Sequence, residues 1–296
     1  MNVLITGGTG FIGKECALAL KAAGHAVTIL ARSQTAGKPL ESAGYRFAIG
    51  DLAIPESLRA ALVGIDAIVH CVGIILEPTG VTFESVVVDG TRHLLDACNS
   101  AHITKFVYIS ALGTRPNAVS RYHKTKWQAE EMISASGIPY TIFRPSVVYG
   151  KGDKFINTFM KMPVLVLPGG GKGLFQPTYV KDLAQMVVSS MQNPNATNAT
   201  LDAGGPDTLT YEKMMKTSLR IKGVKRIAVP SPMWLMRVLS IIHDPFQRIY
   251  LPLALITKDQ YLMMQEDNIG DSSHLAKAMP EIHQRPFEVG LREYLP

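Results

Sequence analysis

Residues 2–13 read Asn-Val-Leu-Ile-Thr-Gly-Gly-Thr-Gly-Phe-Ile-Gly. A short apolar strand runs directly into a glycine-rich turn and then into a helix expected over Phe11–Ala23. Gly7 permits the sharp turn, Gly10 lets the backbone come close to a pyrophosphate, and Gly13 lets the helix pack tightly on the strand. The free N–H groups of the turn and the positive end of the helix dipole then face the anion. A strand before and a helix after are the context this spacing needs to seat a dinucleotide. A merely tight turn would not require all three glycines.

The first half continues in the same rhythm. Apolar runs at Asn2–Thr6, Ala26–Ala31, Tyr45–Ile49, Ala67–Cys71, Lys105–Ser110 and Tyr140–Arg144 read as strands. Helical stretches fall near Phe11–Ala23, Pro55–Leu62, Thr82–Ala101 and Ser120–Ser136. Strands that are nearly continuous apolar runs have both faces covered, which is the pattern of a parallel sheet between helical layers. The expected fold is therefore α/β, a Rossmann-type doubly wound sheet over residues 1–150. Residues 151–296 complete it and add a small C-terminal α/β cap. Ligand sites in such sheets lie at the carboxyl ends of the strands.

Composition narrows the function classes. Hydrophobic residues make up 47% of the 296 and charged residues 18%, enough for a large core and unlike a disordered chain. No apolar run is long enough to span a bilayer, and the N-terminus lacks a signal-peptide pattern. Cys16, Cys71 and Cys98 are scattered, with no Cys-x-x-Cys pair, which argues for reduced thiols and against a zinc site. His70 beside Cys71 reads as strand-end packing. A cytoplasmic location is expected, with a peripheral place at a membrane as the alternative. The net charge of +6 favours anionic ligands or surfaces, but no nucleic-acid-binding motif stands out.

The second strand ends Leu30-Ala31-Arg32-Ser33, without the carboxylate that takes the ribose hydroxyls of NAD. Arg32 instead offers a planar, permanently charged fork suited to a 2′-phosphate, and Ser33 can add a hydroxyl. NADP(H) is expected over NAD(H). Asp51-Leu52, after the third strand, should lie near the adenine; an ordinary cap for the helix near Pro55 is the competing reading. Cys71-Val72-Gly73 should pass beside the adenosine ribose.

Tyr122 and Lys126, four apart after the fifth strand, share one helical face. A nearby ammonium is expected to lower the tyrosine pKa, making it a usable acid or base beside a nicotinamide. Further on, Pro168-Gly169-Gly170-Gly171-Lys172-Gly173 lacks P-loop spacing and reads as a flexible loop over a cleft.

Several segments together resemble the extended and atypical short-chain dehydrogenases/reductases: Thr6–Gly13, Asp51-Leu52, Tyr122-x-x-x-Lys126, Arg144-Pro145 with Tyr149-Gly150, and Gln176–Leu183. Ser110-Ala-Leu-Gly113 and Phe143–Gly150 make the chain similar to the group containing the nucleotide-binding alpha-subcomplex accessory subunit of respiratory complex I, its bacterial relatives and plastid assembly factors. The resemblance covers about residues 1–210. It implies that Gly7, Thr9, Gly10, Phe11, Ile12 and Gly13 line the pyrophosphate. Arg32 would hold the 2′-phosphate and Asp51 the adenine. Tyr122 and Lys126 would hold the nicotinamide ribose, with Pro145, Ser146, Val147 and Val148 behind the nicotinamide. One position departs from active members: where a Ser or Thr hydroxyl is usual, this chain has Ala111. Either Ser110 substitutes, or the group that polarises a substrate is missing.

The C-terminal third is rich in methionine, with 11 of the 13 at or beyond Met160. Tyr211–Ile221 is an amphipathic helix with Lys213, Lys216 and Arg220 on one side. A solvated face is the ordinary reading; docking to acidic partners or anionic lipid is the sharper one. Ser231–Ile242 and Tyr250–Ile256 are apolar and suit either a cap over the substrate or a face for a membrane-associated complex. Two functions remain open. One is an NADP(H)-dependent oxidoreductase or epimerase acting on an unidentified small molecule through Tyr122, Lys126 and Ser110. The other is a non-catalytic cofactor-binding accessory or assembly protein of a respiratory or other electron-transfer complex.

Overall fold

The computed structural model describes residues 1–243 and 256–295. The chain alternates from its start: β1 (Asn2–Thr6), α1 (Phe11–Ala22), β2 (Ala26–Ala31), α2 (Gln34–Ser42), β3 (Arg46–Ile49), α3 (Pro55–Ala61) and β4 (Ala67–His70). A π-helical turn, Glu84–Asp89, leads into α4 (Gly90–Cys98). The single α-helix expected over Thr82–Ala101 is thus wound wider at its start, where the Thr91 hydroxyl donates to the Val87 carbonyl at 2.5 Å. Next come β5 (Lys105–Ile109), α5 (Arg121–Ala135), β6 (Tyr140–Pro145), β7 (Val148–Tyr149), α6 (Phe155–Lys161), β8 (Val164–Pro168), β9 (Leu174–Phe175) and β10 (Thr178–Tyr179). The remainder is α7 (Val180–Ser190), β11 (Ala199–Ala203), β12 (Leu209–Thr210), α8 (Tyr211–Ile221), β13 (Ile227–Ser231), α9 (Met233–His243), α10 (Lys258–Met263), α11 (Ser273–Ala278) and α12 (Phe287–Arg292).

Seven strands form one parallel sheet in the order β3-β2-β1-β4-β5-β6-β11. This is the expected Rossmann-type fold. The strand order reverses between β1 and β4, and the crevice at their carboxyl ends is where such sheets bind ligands. Alternation along β1 explains the two layers. Val3 and Ile5 pack with Cys16, Leu20, Leu183 and Val187 on one face. Leu4 packs with Leu58, Leu94 and Ile133 on the other. A third apolar cluster, around Tyr149, Tyr179, Met214 and Phe287, supports the smaller C-terminal layer.

Among the elements that were not expected, two lie at the edges of the sheet. β11 completes the sheet's far edge, although its Ala-Thr-Leu-Asp-Ala sequence is short and half polar. α2 forms despite Gly37 and Pro39, held at its start by Ser33, whose hydroxyl oxygen accepts from Ala36 N. Gly37 is required there, since a Cβ would lie 2.3 Å from the Phe47 ring. The Gly169–Gly173 segment is not an open loop. Gly169–Gly171 form a 3-10 turn of positive φ, and Gly171 is packed so closely on the start of α8 that a Cβ would meet that of Glu212 at 2.9 Å. The apolar stretch Tyr250–Ile256 lies outside the described residues except for Ile256.

At the first turn the glycines do what their spacing implies. Gly7 has φ +74°, and a Cβ on Gly13 would stand 2.2 Å from the Gly7 carbonyl oxygen. Gly13→Ala therefore forces α1 off β1 and should destabilise the protein by about 1–3 kcal/mol. Urea unfolding followed by circular dichroism measures this.

Candidate dinucleotide site and its tyrosine–lysine pair

The site assembles from the ends of β1, β4 and β5 and the start of α5. Gly10 is the N-cap of α1 and makes no side-chain cap bond, and the first turn of α1 has no acidic residue. The backbone N–H groups there have no side-chain competitor for an anion. The turn presses on β4: a Cβ on Gly7 would meet the Cys71 carbonyl at 3.1 Å and Val72 Cγ2 at 3.2 Å. One residue on, the corresponding position on Gly73 lies 3.3 Å from Lys126 Nζ. Lys126 in turn donates to the Ile109 carbonyl at 2.8 Å, at the end of β5. Gly7, Cys71, Val72, Gly73 and Lys126 are thus consecutive neighbours along the switch-point crevice. A cradle that a Cβ would fill, beside uncapped helix N–H groups, fits a dinucleotide pyrophosphate.

Lys126 is buried, with its ammonium 4.6 Å from the Tyr108 ring centroid. Burial pulls its pKa down to about 8, partly opposed by Cys71 and Glu130. Tyr122 is half-buried one turn earlier, edge-on to Phe83 at 5.9 Å. Its pKa is pushed up to about 12, first by burial and then by the Asp259 carboxylate. The expectation that Lys126 would lower it is corrected: the ammonium is turned to the Ile109 carbonyl, and an acidic group faces the tyrosine.

The start of α5 is heavily fixed. Ser120 caps it, accepting from His123 N at 3.2 Å. Asp259 on α10 accepts from Arg121 N at 2.6 Å and from Tyr122 N at 3.2 Å, a carboxylate at the positive end of the helix dipole. The Arg121 side chain pairs with Glu77 and Glu84. Further along the strap that follows α10, Glu266 pairs with Arg115, and Asn268 accepts from the Ser146 hydroxyl through both its backbone oxygen, at 3.0 Å, and its side-chain oxygen, at 2.5 Å.

The other expected residues fall as follows. Thr9 and Gly10 are exposed at the turn, and Phe11 and Ile12 are half-buried. Phe11 lies under Gly150, whose Cβ position is 3.5 Å from the ring tip. Arg32 is exposed and makes no ion pair among the described residues, beside the capped N-terminus of α2. Asp51 does not cap α3, whose N-cap is Ile54; its carboxylate caps its own turn, accepting from Ala53 N at 3.0 Å. Leu52 anchors α4, its carbonyl bonded to His93 Nδ1 at 2.7 Å. The Pro145 and Val147 carbonyls accept from Leu112 N and Thr178 N, and Val148 begins β7. His70 is a buried strand-end residue between the hydroxyls of Thr6 and Thr91, and burial lowers its pKa to about 3.

Ser110 is buried, and its hydroxyl donates to Glu130 Oε1 at 2.5 Å. Glu130 also receives the Arg144 guanidinium. Sequence reading missed Glu130 and Asp259. Glu130 had a signal, since Tyr122, Lys126 and Glu130 are spaced four apart on α5. Asp259 had none, lying 137 residues from Tyr122.

The fold and this site define a Rossmann protein of the NAD(P)-binding type with a tyrosine–lysine pair. The chain belongs to the NAD dependent epimerase/dehydratase family, whose model matches residues 3–204. It is 26% identical to the photosystem II assembly factor Ycf39 of Trieres chinensis, over 83% of this chain and 77% of that one. It is 27% identical to the ceramide reductase of Caulobacter vibrioides, over 78% and 74%. Similarity also extends to the mitochondrial NADH dehydrogenase [ubiquinone] 1 alpha subcomplex subunit 9 of Arabidopsis thaliana, 26% identical over 71% of this chain and 55% of that one. UDP-glucuronic acid 4-epimerase of Bacillus cereus, solved with NAD, shares the fold with a TM-score of 0.78 at 18% identity, over 100% and 97%.

The buried ammonium has a measurable consequence. Between about pH 8, where folded Lys126 loses its proton, and the ordinary lysine range, the unfolded chain holds one more proton than the folded one. Stability should therefore rise with pH across that window. Lys105, also drawn down to about 8 by burial, adds in the same direction. Lys126→Met should remove part of the rise, about 1–3 kcal/mol, and be as stable as wild type or more so at pH 7. Urea unfolding from pH 7 to 10 tests both.

Proposed function

We propose that the protein is an NADP(H)-dependent reductase acting on the carbonyl of an apolar substrate. The continuous contact from the Gly7 turn through Cys71 and Gly73 to Lys126 supports this reading, because it links the turn that would hold the pyrophosphate to the helix that carries Tyr122 and Lys126. When bound, NADPH supplies the hydride. Lys126 Nζ is positioned to bond the ribose hydroxyls. Tyr122, with a pKa near 12, holds its proton at neutral pH and can give it to the carbonyl oxygen as hydride arrives. Ser110 acts as a positioning residue, tying Glu130 to the end of β5. Exposed Ile75, Leu76 and Val119 supply an apolar rim; the Glu77–Arg121 pair brings their two segments together. The similarity to a ceramide reductase agrees with such a substrate.

The preference for NADP(H) over NAD(H) rests on Arg32, which has no carboxylate partner among the described residues and stands beside the N-terminus of α2. Arg32→Ala should raise the NADPH dissociation constant about 10–100-fold, as loss of a charge-assisted contact implies, and leave NADH little changed. Calorimetry with both cofactors decides; equal wild-type affinity for the two overturns the preference.

A second reading, a non-catalytic cofactor-binding accessory or assembly protein of an electron-transfer complex, is favoured by one observation. Ala111 has no hydroxyl, and that of Ser110 is committed to Glu130. The similarity to Ycf39 and the complex I subunit agrees with it. Tyr122→Phe separates the two. Under the first, NADPH still binds while ketone reduction falls by about 100-fold or more. Under the second, function in cells survives the substitution.

A further inference from the structure

The strongest unexplained feature lies away from the crevice, in β8, β13 and α9. These elements are apolar on the side they bury and also on the side they expose. In the β8/β13 pair, Leu165 and Leu167 face inward. On the other side Ile227 is 75% exposed, with its register partner Val164 and, two residues on, Val229 also exposed. On α9, Met236 and Ser240 are buried, while Trp234, Val238, Ile241 and Ile242 recur at helical spacing on the outer side. Trp234 is 65% exposed and Ile241 57%. A soluble helix normally turns such a stripe inward.

The chain segment that builds this surface carries charge of one sign. From Lys213 to His243 the chain has seven lysines and arginines and no aspartate or glutamate. Lys216 and Arg220 find carboxylates, on Glu212 and Glu288. Lys213, Lys222, Lys225 and Arg237 have none among the described residues. Immediately before Ile227, a groove of about 500 Å³ is lined by Lys216, Leu219, Arg220, Val224, Lys225 and Arg226. Arg226 is fixed at its rim by donating to the Met162 carbonyl at 2.8 Å.

We infer that this face docks on an anionic lipid bilayer, with Trp234, Val238, Ile241 and Ile227 entering the interface and the lysine–arginine groove receiving phosphate headgroups. The chemistry selects a bilayer over other occupants. The outer side of a helix is convex, so it presents a ridge, where a docking peptide needs a cleft. A second copy would set like charges against each other. An indole and branched aliphatics flanked by long cationic side chains match the depth profile of a membrane surface, where tryptophan sits at headgroup level and arginine stems lie along apolar groups. Among the described residues no helix is long and apolar enough to cross a membrane, so the attachment is peripheral. α9 also packs against α10, whose Asp259 holds the start of the Tyr122 helix. The same face would thus bring the apolar rim of the crevice close to the lipid.

Flotation of the full-length protein with phosphatidylcholine vesicles, with and without phosphatidylglycerol, tests this without reference to turnover, so it stands or falls apart from the catalytic reading. The protein should float only with the anionic vesicles. In a Trp127→Phe background, which leaves Trp234 as the sole tryptophan, the emission should shift to the blue on their addition. Trp234→Ser with Ile241→Ser should weaken partitioning on the order of tenfold or more. Lys222→Glu with Lys225→Glu should weaken it about fivefold or more per cation. Both variants alter exposed side chains, and unchanged NADPH binding by calorimetry shows that they are folded. Three results would each overturn the inference: protein that stays unbound with both vesicle types, variants that float as wild type does, or a wild-type dimer in sedimentation that the serine variant converts to monomer.

Discussion

The close approach of the first helix to the first strand is the constraint on which the site depends. With no side chain at Gly13, the α1 backbone rests against the carbonyl of Gly7, where a Cβ would stand 2.2 Å away. This contact fixes the uncapped end of α1 directly over the carboxyl end of β1. Gly7 then bears on Cys71 and Val72 of the neighbouring strand end, which in turn sets Gly73 against Lys126. Moving α1 outward would loosen the turn and pass the displacement along β4 to the lysine. The dinucleotide seat and the tyrosine–lysine pair are therefore one packed unit.

A second network holds the other side of that unit. Glu130 is buried on α5 and takes both the Ser110 hydroxyl and the Arg144 guanidinium. It binds the ends of β5 and β6 to the helix that carries Tyr122 and Lys126. A buried carboxylate with these partners is well satisfied, whereas without Arg144 its charge would stand uncompensated in a low-dielectric region. This explains why Ser110, although it sits at the expected strand end, is not free for a substrate. Its hydroxyl is consumed by the geometry of the helix behind it.

Most of the central sheet was legible because its information is local. β1, β2, β4, β5 and β6 are continuous apolar runs with glycine or polar boundaries, and the glycine turn, Arg32, Tyr122 and Lys126 are fixed by short spacings. What was not legible is long-range. β11 carries Thr200 and Asp202, and its strand character comes from pairing with β6. α2 contains a glycine and a proline that argue against a helix, yet Gly37 is the residue that lets it lie on Phe47. Asp259, Glu266 and Asn268 act on residues more than a hundred positions earlier. No periodicity encodes such contacts. The Gly169–Gly173 cluster misled for a related reason: its glycines serve tight packing on α8, which composition does not distinguish from flexibility.

The contact of α10 with the start of α5 also bears on the tyrosine. Were Tyr122 governed by Lys126 alone, its phenolate would be favoured and the pair would suit proton abstraction from an alcohol. Burial beside Phe83 and His123 disfavours the charged form, and Asp259, held by the two N–H groups that open α5, disfavours it further. The same carboxylate thus stabilises the helix through its dipole and keeps the hydroxyl protonated. A protonated tyrosine is a donor, matched to an acceptor such as a carbonyl oxygen. If α10 were lifted, α5 would lose a capping charge, and the part of the upward shift that Asp259 adds to that of burial would go with it. One contact, made by a residue far away in the sequence, thus caps the helix and adds to what burial does to the tyrosine.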